Sequence, residues 1–459
     1  MFTYQEALAY LDRYANYELN RSIQYTEEIF NLSRVYEFMA RLGYPHQAYP
    51  TIHIAGSKGK GSTAAMIESI LRAAGYRTGL YTSPHLHTFR ERIRVNGDLI
   101  SPQEFVELIK LVAPHAEAVP NLTWFEVTTA LAFLYFARHS VDIAVIEVGL
   151  GGRLDATNVI TPLVSVITSL SYEHTAWLGN TLAQIAFEKA GIIKPGVPVV
   201  CAPQEPEAMA VIEQACTERA APLICVGEDW EFHPGSIRLD GQTFEVMPPA
   251  PIRLRLSDAQ LRFELPLLGR HQLINATCAL ATVMQLPSTQ FRVPLPALQQ
   301  GLAAVQWPGR AEVLSLSPPI IVDGAHNGDS ARRLAETLSE WFPRQRWTFV
   351  VGTLSDKDHK AILRELALKM AELIVTRSHS VRATDPELLA QLARQIGLSV
   401  RMAPGVQSAL EEALALGYPV CLTGSLSIVA EAREAWAKTR GRTWPEEEAL
   451  TWLSISQLS

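Results

Sequence analysis

The chain has 459 residues, 48% hydrophobic and 19% charged, with 40 Lys and Arg against 47 Asp and Glu for a formal charge of -7. That is enough apolar material for about two or three globular domains, too little charge for a disordered chain, and no basic excess of the kind a nucleic-acid binder shows. The longest apolar run, Ala130–Ala137, is far short of the roughly 18 residues of a membrane span, and MFTYQEALAYLDRY lacks the basic-then-apolar layout of a secretory leader.

In chain order, Thr51–Ala55 reads as a strand, followed by a Gly-rich turn and a helix from about Gly61 to Ala74, where Ala64, Ile67, Leu71 and Ala74 recur at helical spacing. Strands are expected at Asp142–Val148, Leu163–Thr168 and Val197–Cys201. Thr181–Ala190 is a helix: Thr181 and Gln184 have capping-box spacing and Gly191 supplies a stop. Residues 228–266 alternate polar and apolar positions around Gly235, Gly241 and a proline cluster, the pattern of a small antiparallel excursion. A helix at about His271–Gln285 and a Pro-rich stretch precede the turn Trp307-Pro-Gly-Arg310. A second series of strands follows at Ile320–Asp323, Trp347–Val351, Leu373–Thr376 and Pro419–Thr423, with helices between. The expected fold is α/β, with an N-terminal phosphate-loop ATPase-like domain built on a parallel sheet (residues 1–304) and a smaller Rossmann-like C-terminal α/β domain (residues 305–459). Cys201, Cys216, Cys225, Cys278 and Cys421 are scattered without CxxC spacing, which points to buried thiols in a reducing compartment such as the cytoplasm.

The strongest local signal is Gly56-Ser57-Lys58-Gly59-Lys60-Gly61-Ser62-Thr63, placed between a strand and a helix. Glycines let backbone amides approach a phosphate at the helix N-terminus, Lys60 can neutralise its charge, and Ser62 offers a hydroxyl to Mg²⁺. The sequence departs from the usual phosphate-loop pattern in that Gly61 separates Lys60 from Ser62. A second signal is the apolar strand that delivers Glu147 at its carboxyl end, followed by Gly149, Gly151 and Gly152 with Arg153, Asp155 and Asn158. Beside a phosphate loop, Glu147 is a Mg²⁺ ligand or its support. Ser83 sits in a polar loop after another strand. His85 and His87 there have HxH spacing, but nothing nearby completes a zinc set. His174 and Lys189 would not be chosen on chemistry alone. Asp323 to Asn327 and Thr423 to Leu426 again end strands with polar groups, so two sheets face one cleft, which Arg310 can reach from the turn between them.

Together these residues resemble the dihydrofolate synthase/folylpolyglutamate synthase family, relatives of the Mur ligases. The resemblance runs in order through Asn31-Leu-Ser-Arg34, Ala55 to Ser62, Ser83-Pro-His-Leu86, Phe125-Glu126, Glu147 to Asn158, Trp177 to Thr181, Glu188 to Gly196, His271-Gln272 with Asn275-Ala276, Pro308-Gly-Arg310, Asp323 to Asn327 and Thr423 to Leu426. It implies an ATP-dependent ligase that joins L-glutamate to dihydropteroate and to reduced folates through an acyl phosphate, acting as a cytoplasmic monomer with no nucleic-acid or membrane partner. It further implies that Lys60 and the amides of residues 56–63 hold the ATP phosphates, that Gln272 and Asn275 lie near adenine, and that Arg310, Asp323 and His326 approach the nucleotide from the second domain. Ser62, Ser83, Glu147 and His174 would bind Mg²⁺. Lys60, Lys189 and His326 would serve catalysis, Lys189 as a carbamylated lysine. Phe125, Arg153 and Asp155 would face the pterin and pteroate; Lys357, Arg382 and Ser425 would meet the incoming glutamate. Four positions depart from the family pattern: Ser57-Lys58 replaces Thr-Asn, Glu173 replaces an Asp, and Ser427 replaces an aromatic residue. The competing readings are a Mur-type peptidoglycan ligase, disfavoured by the 55 residues ahead of Gly56, and a phosphate-loop kinase, disfavoured by the polar strand ends of the second series.

Overall fold

The computed structural model describes residues 2–18, 30–256 and 261–440. Strands β1 (Thr51–Ala55), β2 (Thr78–Tyr81), β3 (Ile93–Val95), β4 (Asp98–Leu99), β5 (Ile143–Glu147), β6 (Val164–Ile167), β7 (Val199–Cys201) and β8 (Leu223–Cys225) form one sheet in the order β4-β3-β2-β5-β1-β6-β7-β8. Pairing is parallel from β2 to β8, and β3 and β4 close one edge antiparallel. The strands are apolar at successive positions because both faces are covered. In β5, Ile143 and Val145 face one core with the helices Lys60–Ala73, Arg270–Gln285 and Leu295–Ala303. Ala144 and Ile146 face another with the helices Pro102–Glu117 and Trp124–Arg138. This two-residue alternation divides one strand between two cores.

Strands β9 (Glu231–Arg238), β10 (Gly241–Met247) and β11 (Leu261–Leu265) make the antiparallel excursion. It also carries a helix, Ala250–Leu256, that the proline cluster concealed. The third sheet holds β12 (Glu312–Leu316), β13 (Pro319–Asp323), β14 (Trp347–Val351), β15 (Met370–Val375), β16 (Arg401–Met402) and β17 (Val420–Thr423), ordered β12-β13-β17-β14-β15-β16. All pairings there are parallel except that of β12, an edge strand the sequence did not announce.

The connection leaving β1 runs past β5 to β2 and that leaving β6 runs the other way to β7, so a crevice opens at the carboxyl ends of β1 and β6. In the third sheet β17 lies between β13 and β14, which sets the carboxyl ends of these strands side by side. The helix over Leu182–Ala190 has the expected capping box at Thr181 and Gln184, and it ends at Gly191. Gly191 is not left-handed there; a Cβ would stand 2.4 Å from the Arg153 Cα, so the glycine serves the close passage of the loop after β5.

His53, in the middle of β1, is fully buried and donates Nε2–H to the Thr157 hydroxyl at 2.8 Å. The donor is fixed because the Thr157 hydroxyl gives its own proton to Asp155, and Nδ1 has no partner. Burial pushes His53 down from 6.5 to about 3. The unfolded chain therefore takes up this proton first as acid is added. The stability due to the neutral ring is complete above pH 6.5 and is lost progressively toward pH 3, by up to about 1.4 kcal/mol per pH unit. Urea midpoints measured between about pH 4 and 8 should fall below pH 6.5, and His53→Gln should flatten that slope. An unchanged slope in the variant would assign the acid sensitivity to other groups.

Candidate active site

The phosphate loop leaves β1 at Ala55 and enters the helix Lys60–Ala73 through Gly59, whose φ of 90° and missing side chain leave the helix without a side-chain cap. The amides of Ser57 and Lys58 both donate to the Ser169 carbonyl, at 3.1 and 3.0 Å. The amides suited to an anion are therefore those of Lys60, Gly61 and Ser62, in the first helical turn where no intrahelical acceptor exists. The Lys60 ammonium donates to the Gly56 carbonyl at 3.2 Å and stands 4.0 Å from Glu147. Gly56 and Thr63 lie outside the wall of the cavity that this loop borders, and Thr63 is fully buried.

Glu147 ends β5 with its carboxylate buried, accepting the Ser83 amide at 3.1 Å. Burial raises it to about 7 against the pull of Lys60. Ser62, Ser83 and His174 line the same cavity, and the His174 ring stacks on Trp177 with centroids 6.2 Å apart. No cluster of three or more His, Cys, Asp or Glu able to hold a metal occurs among the described residues. One buried carboxylate with hydroxyls beside a phosphate site is nevertheless a donor set that fits Mg²⁺, which keeps waters and substrate phosphates as ligands. Lys189 lies behind the loop: its ammonium is buried, donates to the Gly56 carbonyl at 2.8 Å, and is pushed down to about 7 by burial and by Lys60.

A cavity of about 460 Å³ joins these groups to the third sheet. Arg310, Asp323, His326, Lys357, Arg382 and Ser425 all line it, as do Gln272, Asn275, Phe125 and Asp155. Asp323 accepts the amides of Ala311 and Ala325 at 2.7 and 2.8 Å, so it shapes the loop that carries His326. Asp155 does likewise for its own loop, accepting the amides of Leu150 at 2.9 Å and Thr157 at 3.0 Å. Asn275 donates to Gln272 at 2.9 Å. Arg382 is held by Asp356 at 2.6 Å and by the Glu18 carbonyl at 2.8 Å.

Two expected substrate contacts are otherwise engaged. The Arg153 side chain lies outside the cavity wall, pairing with Glu188 at 3.0 Å and stacking over Phe187. The Ser425 hydroxyl donates to the Gly352 carbonyl, caps the Ile428 amide and accepts from Ser427; one proton and two lone pairs are all committed. The HxH histidines are also satisfied by protein: His85 Nδ1 accepts from Arg92 at 2.8 Å and His87 Nε2 from Arg433 at 2.7 Å. Sequence reasoning missed Arg92, 1% exposed yet part of the cavity wall, where it forms a two-pronged bond to Glu18 and lies over the Trp124 ring. It also missed Glu173, His271 and Arg333, which line the cavity. His271 and Arg333 are polar residues in the first two turns of their helices, the one signal that could have singled them out; Glu173 lies in the loop after β6 and Arg92 ends a single 3-10 turn, where no local pattern marks them.

Residues 54–283 match the Mur ligase middle domain and residues 309–426 the Mur ligase, glutamate ligase domain. The dihydrofolate synthase/folylpolyglutamate synthase of Bacillus subtilis is 40% identical over 345 residues, covering 73% of this chain and 78% of that protein. This chain belongs to the dihydrofolate synthase/folylpolyglutamate synthase family. The folylpolyglutamate synthase of Lacticaseibacillus casei is 35% identical over 410 residues, covering 87% of this chain and 93% of its own. The structure of Mycobacterium tuberculosis folylpolyglutamate synthase complexed with ADP superposes with a TM-score of 0.84 at 33% identity, covering 94% of this chain and 98% of that one.

In this member of the family the glycine that interrupts the phosphate-loop pattern has a steric cause. A Cβ on Gly61 would stand 2.8 Å from the ring of Trp307, which comes from the linker between the sheets. Gly61→Ala should displace that ring or the first helical turn at a cost of about 1–3 kcal/mol. Equilibrium binding of ADP should weaken while the helical circular-dichroism signal stays the same. Wild-type affinity would show that the ring moves aside freely.

Proposed function

We propose that this chain is an ATP-dependent ligase that adds L-glutamate both to dihydropteroate and to reduced folates. The observation that carries this reading is the single cavity in which the phosphate loop and Glu147 of the first sheet meet Arg310, His326, Lys357 and Arg382 of the third. A carboxylate is a poor electrophile. In the proposed first step a carboxylate oxygen of the pteroate or folate attacks the γ-phosphorus of ATP; an O–P bond forms, the bond to ADP breaks, and an acyl phosphate results. In the second step the glutamate amine attacks the acyl carbon, phosphate leaves, and the nitrogen loses a proton as the amide forms. Lys60 and the first-turn amides neutralise charge on the transferring group, and the surrounding walls keep water from the acyl phosphate. Ser62, Ser83, Glu147 and His174 would hold Mg²⁺, which would supply positive charge to the phosphate oxygens.

The other roles are those the family resemblance implies for residues around the cavity. Gln272 and Asn275 face adenine, Arg310 and His326 reach the nucleotide from the third sheet with Asp323 shaping their loop, Phe125 and Asp155 border the pterin, and Lys357 and Arg382 receive glutamate. Ser425 caps a helix at that end of the cavity. Lys189 is carbamylated: its neutral amine, accessible near pH 7 because burial lowers its pKa to about 7, attacks CO₂ and loses a proton to leave a carbamate anion beside Lys60. The division into domains at residues 304/305, a monomeric state and a cytoplasmic setting, in keeping with five free thiols, complete the proposal.

Phosphate release from Mg-ATP and L-glutamate, with dihydropteroate or tetrahydrofolate supplied separately and product masses checked, tests the reading. Turnover of both acceptors is expected; turnover of tetrahydrofolate alone would reduce the enzyme to a folylpolyglutamate synthase, and turnover of neither would overturn the proposal. Lys60→Ala should lower kcat by about 10²–10³-fold. Depleting CO₂ should slow the wild-type enzyme reversibly, and a short carboxylic acid should restore part of the activity lost in Lys189→Ala. Indifference to CO₂ would remove the carbamate from the mechanism.

A further inference from the structure

One oxygen of Glu173 gathers three segments of the chain. Oε1 accepts the Lys58 ammonium at 3.0 Å and faces His326 Nε2 at 3.1 Å. Lys58 belongs to the phosphate loop, Glu173 to the loop after β6, and His326 to the loop after β13, so the contact crosses from the first sheet to the third. All three residues line the central cavity with Lys60 and Glu147. The other ring nitrogen, His326 Nδ1, lies 2.9 Å from the Gly324 carbonyl, which can only accept. The ring is thus held between an acceptor of the third sheet's loop and a carboxylate of the first sheet's loop. Burial and Lys58 hold the His326 value below its ordinary 6.5, although Glu173 opposes them.

We propose that Glu173 is a positioning residue of the ligation reaction: one carboxylate oxygen keeps the Lys58 ammonium to itself and fixes the His326 ring of the third sheet's loop beside the phosphate loop. Lys58 then acts as the counter-charge of this carboxylate and not as a phosphate ligand, consistent with its amide being spent on Ser169. The inference rests on the ligase reading above and names what orients His326 within it.

Steady-state kinetics on the full chain, with whichever folate acceptor the wild type turns over, test the proposal. Glu173→Gln should lower kcat by about 10-fold or more while the KM for ATP changes less than about twofold, and Glu173→Asp should fall between it and the wild type. In a His326→Asn background, Glu173→Gln should change kcat little further, because its effect is carried by that ring. Additive losses, or a wild-type kcat in Glu173→Gln, would overturn the proposal. Should the Gln variant not fold, Glu173→Asp placed in the same two backgrounds gives the same comparison. A wild-type chain inactive with every acceptor would sink the ligase reading itself, an outcome distinct from any of these.

Discussion

Two lysine ammonium groups share one carbonyl oxygen, that of Gly56, with Lys189 at 2.8 Å and Lys60 at 3.2 Å. Like charges so close in a buried setting repel, and a single carbonyl cannot neutralise them. Much of the architecture around the crevice answers that concentration of positive charge. Glu147 is set at the end of the neighbouring strand, a helix N-terminus adds more positive potential, and the cavity is left open above it. An arrangement of this kind favours a polyanion. Burial produces both the low value of Lys189 and the high value of Glu147; the crowding of positive charge adds to the first and opposes the second.

The three sheets serve this point in different ways. The first places Ala55, Glu147 and the loop after Ile167 side by side because β5, β1 and β6 are adjacent and parallel. The third brings Asp323 and the loop after Thr423 to the opposite wall by the same device. The small antiparallel sheet contributes no wall residues to the cavity; it adds Phe244, Val246 and Phe263 to the core beneath the phosphate-loop helix.

The parallel strands were legible because their apolar runs and the polar residues at their ends stand next to each other in the sequence. That is why Lys60, Glu147, Asp323 and His326 were found together with the fold. Strands of two or three residues, such as β3 and β4, carry too short a pattern to read, and β12 follows directly on the Trp307-to-Arg310 turn and is itself only five residues long. The remaining site residues depend on contacts between distant positions. Arg92 meets Glu18 across 74 residues and His326 meets Glu173 across 153, and no local spacing records either. Arg153 shows the converse limit: the motif is local, but the direction of its side chain is set by Glu188 and Phe187 on a helix that packs against it later.

The third sheet is tied to the rest of the molecule at several points. Trp341 donates its indole N–H to the Arg238 carbonyl of the small sheet at 3.0 Å, Arg433 bonds His87, and His326 faces Glu173. Trp307 of the linker packs with the first core and lies against Gly61 of the phosphate loop. The chain that joins the two halves thus passes over the helical turn whose amides suit an anion, so the linker forms part of the phosphate site's support and is not a tether outside it.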